Sequence, residues 1–383
     1  MKILHVFTLP VTAESFFDGQ FGYLVANGHE ITVIANSALD SGFCRRNNVR
    51  SLTAPIDRRM NPVADIRAIV ALMREIRRNR YDAVVGHTPK GAMVAMIASL
   101  LAGTRRRVYL RHGLVYTTAT GFGRTVLKAV ERLTGFCSTH IVNVSPSLSR
   151  LAVTDRLNSG SKQTVIGAGT CGGIDTAAVF NPAQVGESDI ANLRQAWGIA
   201  ADDFVIGFCG RLCRDKGIVE LIEGFDLFRQ KHKSVSARLL LIGGYDERDT
   251  LPENVRQLIA DSPDIIATGK IAHDKLPLFY SMMDVFVFPS YREGFGMSVV
   301  EASAMGVPVL VSRSHGCVDS IREHITGEYI DLSASGICRG IETMLDAGLR
   351  NRLGAGGRRF ATENFDYKVM WPQILKLYNS ILK

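Results

Sequence analysis

Two stretches of this 383-residue chain set chemically capable side chains where a fold can use them. The first is Asp284-Val285-Phe286-Val287-Phe288-Pro289-Ser290-Tyr291-Arg292-Glu293-Gly294-Phe295-Gly296-Met297-Ser298-Val299-Val300-Glu301-Ala302. A buried apolar strand ends at Pro289-Ser290, a loop carries Glu293 and two glycines, and a helix opens near Met297 or Ser298. Gly294 and Gly296 let backbone come close to a ligand. N–H groups at a helix start offer an anion site suited to a diphosphate. Glu301, a turn into the helix, can accept hydrogen bonds from ribose hydroxyls, while Glu293 faces whatever lies before the phosphates. The competing explanation is a helix-starting loop with an acidic first turn favoured by the helix dipole.

The second stretch is Gly207-Phe208-Cys209-Gly210-Arg211-Leu212-Cys213-Arg214-Asp215-Lys216-Gly217-Ile218. It places Arg211 and Lys216 just after another buried strand, where two cations can balance charge on a leaving diphosphate without a metal. Arg211 can equally pair with a surface carboxylate, as is expected of Arg214 and Asp215. In the first half, Tyr109-Leu110-Arg111-His112-Gly113-Leu114 puts a histidine at a strand end beside a glycine.

These residues need a scaffold of alternating strands and helices. Apolar, β-branched runs predict strands over 3–8, 30–35, 82–86, 107–111 and 140–145, as in a parallel sheet covered on both faces. The pattern repeats with strands over 204–209, 238–242, 265–267, 285–288 and 308–311, which argues for a second doubly wound α/β domain. Ile66, Ile69, Val70, Met73 and Ile76 recur at helical spacing, with Arg67, Arg74, Arg77 and Arg78 largely opposite. Asn27-Gly28 should end a helix before the strand at 30. The Gly-rich stretch 167–173 and Pro182 set the domain junction near 176–186. The expected architecture is two Rossmann-like domains facing across a cleft: 1–180, and 181–366, with a terminal helix over 367–383 returning to the first. Pro372 should kink that helix.

Composition narrows the class. Hydrophobic residues make up 46% and charged residues 21% of the chain, which suits a folded globular protein. No run approaches the ~20 apolar residues of a membrane-spanning helix. The opening apolar run, broken by His5 and Pro10 and followed by no small-residue cleavage site, reads as a buried strand rather than a leader. Seven scattered cysteines lack paired metal-ligand spacing and read as reduced thiols in the cytoplasm. Residues 1–180 hold 22 Lys or Arg against 11 Asp or Glu; residues 181–383 hold 23 against 26. That asymmetry points to a polyanionic partner for the first half. Its basic segments are Arg45-Arg46, Arg58-Arg59, Arg77-Arg78-x-Arg80 and Arg105-Arg106-Arg107. Residues 121–136 intersperse Phe122, Val126, Leu127, Val130 and Leu133 with Arg124, Lys128 and Arg132, as in a helix resting on anionic lipid or an amphipathic core helix. No nucleic-acid module is present.

Glu293 and Glu301, with seven residues between them, together with Gly-Arg-Leu-x-x-x-Lys-Gly, resemble the signature of glycosyltransferase family 4. The likeness runs on through Gly269, Ala304-Met305-Gly306-Val307-Pro308-Val309 and Gly327-Glu328. It implies the two-domain GT-B fold and retaining sugar transfer from a nucleoside diphosphate, UDP being favoured, with no metal and no other cofactor. By that resemblance Arg211, Lys216 and Gly210 meet the diphosphate, Glu301 holds the ribose and Glu293 contacts the sugar. The backbone of Gly294, Phe295, Gly296, Met297 and Ser298 lines the sugar–phosphate path, and Lys270 and Ile271 frame the base. His112 resembles the family's histidine near the donor sugar, and Gly19 is the single glycine left in the loop 10–19. The stretch 167–175 resembles a segment of enzymes that extend lipid-linked saccharides in capsule, O-antigen or glycan assembly. A polyprenyl-pyrophosphate-linked acceptor and a peripheral place on the inner face of the cell membrane are the matching expectations. A soluble transferase with a small acceptor, an epimerase or hydrolase of sugar nucleotides, and a non-enzymatic binding module are the alternatives.

Overall fold

A computed structural model describes residues 1–57, 61–247 and 249–381. The basic pair Arg58-Arg59 and the last two residues of the expected terminal helix lie outside the described residues. The chain divides into two compact units, Met1–Gly173 with Lys368–Lys383, and Ile174–Tyr367. The break at 173/174 falls before the 180/181 boundary read from the sequence.

Unit 1 carries β1 (Lys2–Val6), β2 (Glu30–Ala35), β3 (Arg50–Thr53), β4 (Ala83–His87), β5 (Arg106–Arg111), β6 (His140–Asn143) and β7 (Gln163–Val165). They form one sheet in the order β3-β2-β1-β4-β5-β6-β7, with every neighbour pair parallel. β4 is buried along its whole length and β1 nearly so, which explains why Lys2, His5 and His87 are their only polar residues. The helix Pro89–Leu101 lies so close to the sheet that a Cβ on Gly86 would meet Ala92 Cα at 2.7 Å. That approach anchors the chain immediately beyond His87.

Unit 2 carries β8 (Phe204–Cys209), β9 (Ala237–Ile242), β10 (Ile265–Gly269), β11 (Val285–Phe288), β12 (Val309–Ser312) and β13 (Gly327–Ile330), in the order β10-β9-β8-β11-β12-β13, again all parallel. His112 follows the central strand β5, and the Arg211–Lys216 and Glu293 segments follow the central strands β8 and β11, whereas Lys270 and Ile271 follow the edge strand β10. Doubly wound sheets place their ligand-binding loops at the carboxyl ends of such strands.

Three expectations are corrected. β3, β7 and β13 are short or half-exposed strands that strong apolar periodicity did not announce. In the helix Pro62–Asn79 the fully buried positions are Ala68, Leu72 and Ile76, whereas Ile66 is 62% exposed. The buried stripe is therefore rotated from the one that the largest side chains suggested. Among the basic segments, Arg106 donates to the Ile381 carbonyl at 3.1 Å and Arg107 to those of Cys137 and Thr104 at 2.5 and 2.6 Å. Those two arginines bind backbone carbonyls at two helix ends and a turn.

Candidate active site

β8 ends at Cys209, and the next residues build the first half of the site. The Gly210 N–H donates to the Ile242 carbonyl at 2.9 Å, and the Gly243 N–H to that of Gly269, also at 2.9 Å. The ends of β8, β9 and β10 are thereby laced together. Gly217 has φ of +69°, and a Cβ there would lie 2.0 Å from the Pro289 oxygen. Only glycine lets the start of the helix Ile218–Lys231 press against the end of β11. Asp215, one residue before Lys216, accepts from Arg292 at 2.5 Å, and its carbonyl receives the Tyr291 N–H at 2.9 Å. This clasp brings the two chemically loaded loops together.

As a result Lys216 and Glu293 form an ion pair, with side chains only 14% and 13% exposed. The Lys216 ammonium also lies 5.4 Å from the centre of the Phe288 ring. Arg211 pairs with Asp246, and its own side chain is 57% exposed. Burial opposes the charged guanidinium, but the Asp246 hydrogen bond and the surrounding carboxylates, Glu293 among them, hold its pKa above the ordinary value. Two cations and two carboxylates thus share one patch at the ends of β8, β9 and β11. The alternative foreseen for Arg211, pairing with a carboxylate, is what the structure contains; the partner, Asp246, was missed. Its signal was a carboxylate just past Gly243-Gly244, at the end of the strand beside β8.

Gly296, with φ of +89°, caps the helix Met297–Ala304 and has no side chain to fill that helix's first turn. Gly316, at φ of +85°, holds the Glu293–Gly294 backbone so closely that a Cβ would meet the Glu293 oxygen at 2.5 Å. Phe295 is turned inward, its ring 5.1 Å from that of Phe365, so only its backbone borders the loop. Met297 and Ser298 are half-buried. Glu301 is 8% exposed and accepts from the Tyr280 hydroxyl at 2.9 Å, while His273 Nε2 lies 3.1 Å from its other oxygen. That hydrogen bond raises the His273 pKa. Burial, reinforced by the Glu301 charge, pushes the neighbouring Cys209 thiol up to about 12. Lys270 is exposed just past β10 beside Gly244, and Ile271 is half-buried.

In unit 1, His112 follows β5 and its Nε2 lies 3.2 Å from His87 Nδ1. Burial lowers its pKa to about 4. Gly19 has a packing role. Its N–H donates to Asn47 Oδ1 at 2.8 Å, and a Cβ would collide with the Trp371 ring at 2.8 Å. Among the described residues, Glu323, His324 and Glu328 bring ligand-type atoms within 4.8 Å of one another. Arg313 already engages Glu323 at 2.5 Å, however, and His324 pairs with Glu328 at 2.8 Å.

The model "Glycosyltransferase Family 4" matches residues 21–170, and "Glycosyl transferases group 1" matches residues 189–360. The capsular polysaccharide biosynthesis glycosyltransferase CapM of Staphylococcus aureus is 28% identical, covering 100% of this chain and 98% of the relative. The UDP-Gal:alpha-D-GlcNAc-diphosphoundecaprenol alpha-1,3-galactosyltransferase of Escherichia coli is 22% identical over 87% of this chain and 84% of its own. The solved structure of Anabaena Alr3699/HepE in complex with UDP and glucose shares the fold, with a TM-score of 0.81 and 20% identity over 99% of this chain and 100% of that one. Each unit thus matches its own glycosyltransferase model, and the chain belongs to the family 4 glycosyltransferases of the GT-B fold.

Proposed function

We propose that this glycosyltransferase takes a sugar from UDP and adds it, with retention of configuration, to a polyprenyl-pyrophosphate-linked saccharide in surface-polysaccharide assembly. The observation that carries the reading is the pair of cations after β8, each held by a carboxylate, beside a helix start with no side-chain cap. An arriving diphosphate replaces Asp246 and Glu293 as the partner of Arg211 and Lys216, and Glu293 is released towards the sugar hydroxyls. Glu301, already pinned by Tyr280, presents its carboxylate to the ribose. Lys270 and Ile271 border the base. His112 supplies unit 1's polar contact to the reacting sugar.

The chemistry then follows from charge. The bond from the anomeric carbon to the β-phosphate oxygen breaks, and the acceptor oxygen bonds to the same face of that carbon. The acceptor's proton passes to the departing phosphate oxygen. Arg211 and Lys216 stabilise the charge that builds on the diphosphate, a task for which no metal is required. The names of the S. aureus and E. coli relatives support the polysaccharide setting and the lipid-linked acceptor.

A peripheral place on the inner face of the membrane belongs to the same reading. Among the described residues no helix is long and apolar enough to span a bilayer. The helix Gly121–Cys137, however, leaves Phe122 83%, Leu133 46% and Phe136 75% exposed, with Arg124 and Arg132 also at the surface. Exposed aromatics among basic residues suit an anionic lipid surface.

The test is a screen of nucleotide-sugar turnover in EDTA, with and without a polyprenyl-pyrophosphate-linked saccharide pool. Turnover of one UDP-sugar that requires the lipid acceptor is the expected result. Transfer to small soluble sugars alone would replace the acceptor assignment, and conversion without any acceptor would overturn the transfer reading. Loss of turnover in EDTA restored by a divalent ion would overturn the metal-independent mechanism.

A further inference from the structure

Unit 1 contains a chain of three imidazoles, of which sugar transfer as set out above uses only His112. His5 lies in β1, His87 ends β4 and His112 follows β5, and these strands are neighbours at the middle of the sheet. His5 Nδ1 is 2.9 Å from His87 Nε2, and His87 Nδ1 is 3.2 Å from His112 Nε2. Cys171 Sγ lies 3.8 Å from the far nitrogen, His112 Nδ1. Phe7 stacks on His87 at 3.9 Å, Phe17 stands edge-on to it at 4.9 Å, and Phe21 covers His5 at 4.7 Å. Inside this apolar sleeve burial drives the pKa of His5 to about 3 and that of His87 well below its usual range. All three rings are neutral at pH 7, each with one N–H.

Neutrality couples their tautomers. Each of the two contacts needs one proton, and His87 has one to give. Both hydrogen bonds therefore run in the same direction along the chain. If they run outward, His5 donates to His87 and His87 donates to His112, which leaves a lone pair on His5 Nε2. If they run inward, that atom carries an N–H instead. His5 Nε2 is buried and has no hydrogen-bond partner among the described residues, and a buried orphan donor is rarer than an under-used acceptor. The outward direction is the favoured one.

We propose that His5 and His87 are positioning residues that hold His112 as the Nδ1–H tautomer. His112 then offers a hydrogen-bond donor at Nδ1 and has its only lone pair committed to His87. It cannot serve as a general base; it can donate to an oxygen of the sugar or acceptor. This last statement rests on the proposed place of His112 beside the reacting sugar. The backbone behind His87 is held firmly enough to keep the chain in line. Thr88 has φ of +60°, strained for a β-branched residue. Its hydroxyl donates to the His87 carbonyl at 2.5 Å and lies 2.8 Å from that of Thr8.

The experiment is long-range 15N–1H correlation NMR of the intact enzyme labelled at histidine, with kcat and KM measured on the same variants. At pH 7 the wild-type rings of His5, His87 and His112 should all carry their proton on Nδ1. Protons on Nε2 would overturn the proposal with no variant needed. His87→Phe keeps the stack on Phe7 and removes the bridge, so His112 should revert towards the Nε2–H form that free imidazole prefers. Losing the donor should lower kcat by about 10²-fold, the range for one missing transition-state hydrogen bond, with KM little changed. His87→Asn still donates to His112 and should restore both the Nδ1–H signature and most of the turnover. Equal losses in Phe and Asn variants with an unmoved His112 tautomer would reduce His87 to packing and overturn the proposal. A tautomer that switches without any change in kcat would uphold the relay and refute the placement of His112 at the sugar.

Discussion

Lys216 faces two demands, since it neutralises Glu293 in the resting protein and is proposed to neutralise the diphosphate during transfer. Removing it separates them. Lys216→Met leaves the Glu293 carboxylate, 13% exposed, without its cation. Breaking a buried pair costs 3–5 kcal/mol, and the residual exposure on both sides places this one at the lower end, about 3 kcal/mol. For a unit the size of Ile174–Tyr367, that corresponds to a fall in Tm of about 6–12 °C. Adding Glu293→Gln removes the stranded charge, and the double variant should return to within about 1 kcal/mol of the native protein. Turnover should behave differently. A missing charge-stabilising donor lowers kcat by about 10²–10³, and no change at Glu293 replaces it. The double variant should therefore stay at least about 10²-fold below Glu293→Gln alone, with donor affinity falling much less than kcat. Calorimetry supplies the Tm values, and steady-state turnover of the UDP-sugar supplies kcat. If the double variant turns over as fast as Glu293→Gln alone, Lys216 serves only to neutralise Glu293, and the diphosphate role is wrong.

Three further outcomes are expected. Asp246→Asn frees Arg211 for phosphate at the expense of a partly exposed pair worth up to about 1 kcal/mol, so titration calorimetry should show UDP binding up to about fivefold tighter; weaker binding would make Asp246 itself a ligand contact. His5 and His87, both buried, and half-buried His112 have lowered pKa values, as do His29 and His140 of the same unit, so below pH 6.5 the unfolded chain binds protons that the folded chain refuses until about pH 4 at His112 and about 3 at His5. Unit 1 should then lose up to about 1.4 kcal/mol per pH unit for each histidine as pH falls from 6.5, and stay level above 7; guanidinium unfolding of a Trp197→Phe variant, followed through the remaining Trp371, reads this, and a flat profile from pH 7 to 5 would contradict the burial. Phe122→Asp with Phe136→Asp should abolish sedimentation with phosphatidylglycerol vesicles and leave transfer to a detergent-solubilised acceptor intact, whereas unchanged sedimentation would move the membrane contact elsewhere.

The sequence was most legible where one chemical demand governs a whole segment. Strands β2, β8 and β11 fall on their expected residues because both faces are covered and each run is largely apolar, β2 from Ile31 on with only Thr32 polar. β3, β7 and β13 were not foreseen because edge and near-edge strands alternate with solvent and leave only three or four residues of pattern. The helix Pro62–Asn79 shows the same limit from another side. Its periodicity was plain, but the buried face centres on the small Ala68, and side-chain size misled the choice of stripe.

For the site, residues tied to a strand-end motif could be read, and residues recruited across the sheet could not. Arg211, Lys216, Glu293 and Glu301 announce themselves by spacing within two short loops. Asp246, Tyr280 and His273 reach the same patch from β9 and the segment after β10, and no spacing links them to it. His5 is the instructive intermediate. It is a polar interruption of the first buried run. A histidine inside an otherwise apolar strand has two ring nitrogens to satisfy, and the sheet supplies neither, so its presence implies a second polar group on a neighbouring strand. His87, at the end of an equally apolar run, meets that requirement, and the parallel order β1-β4-β5 carries it on to His112. A titratable residue within a buried strand is therefore a search instruction: look for its partner one strand over, at the carboxyl end.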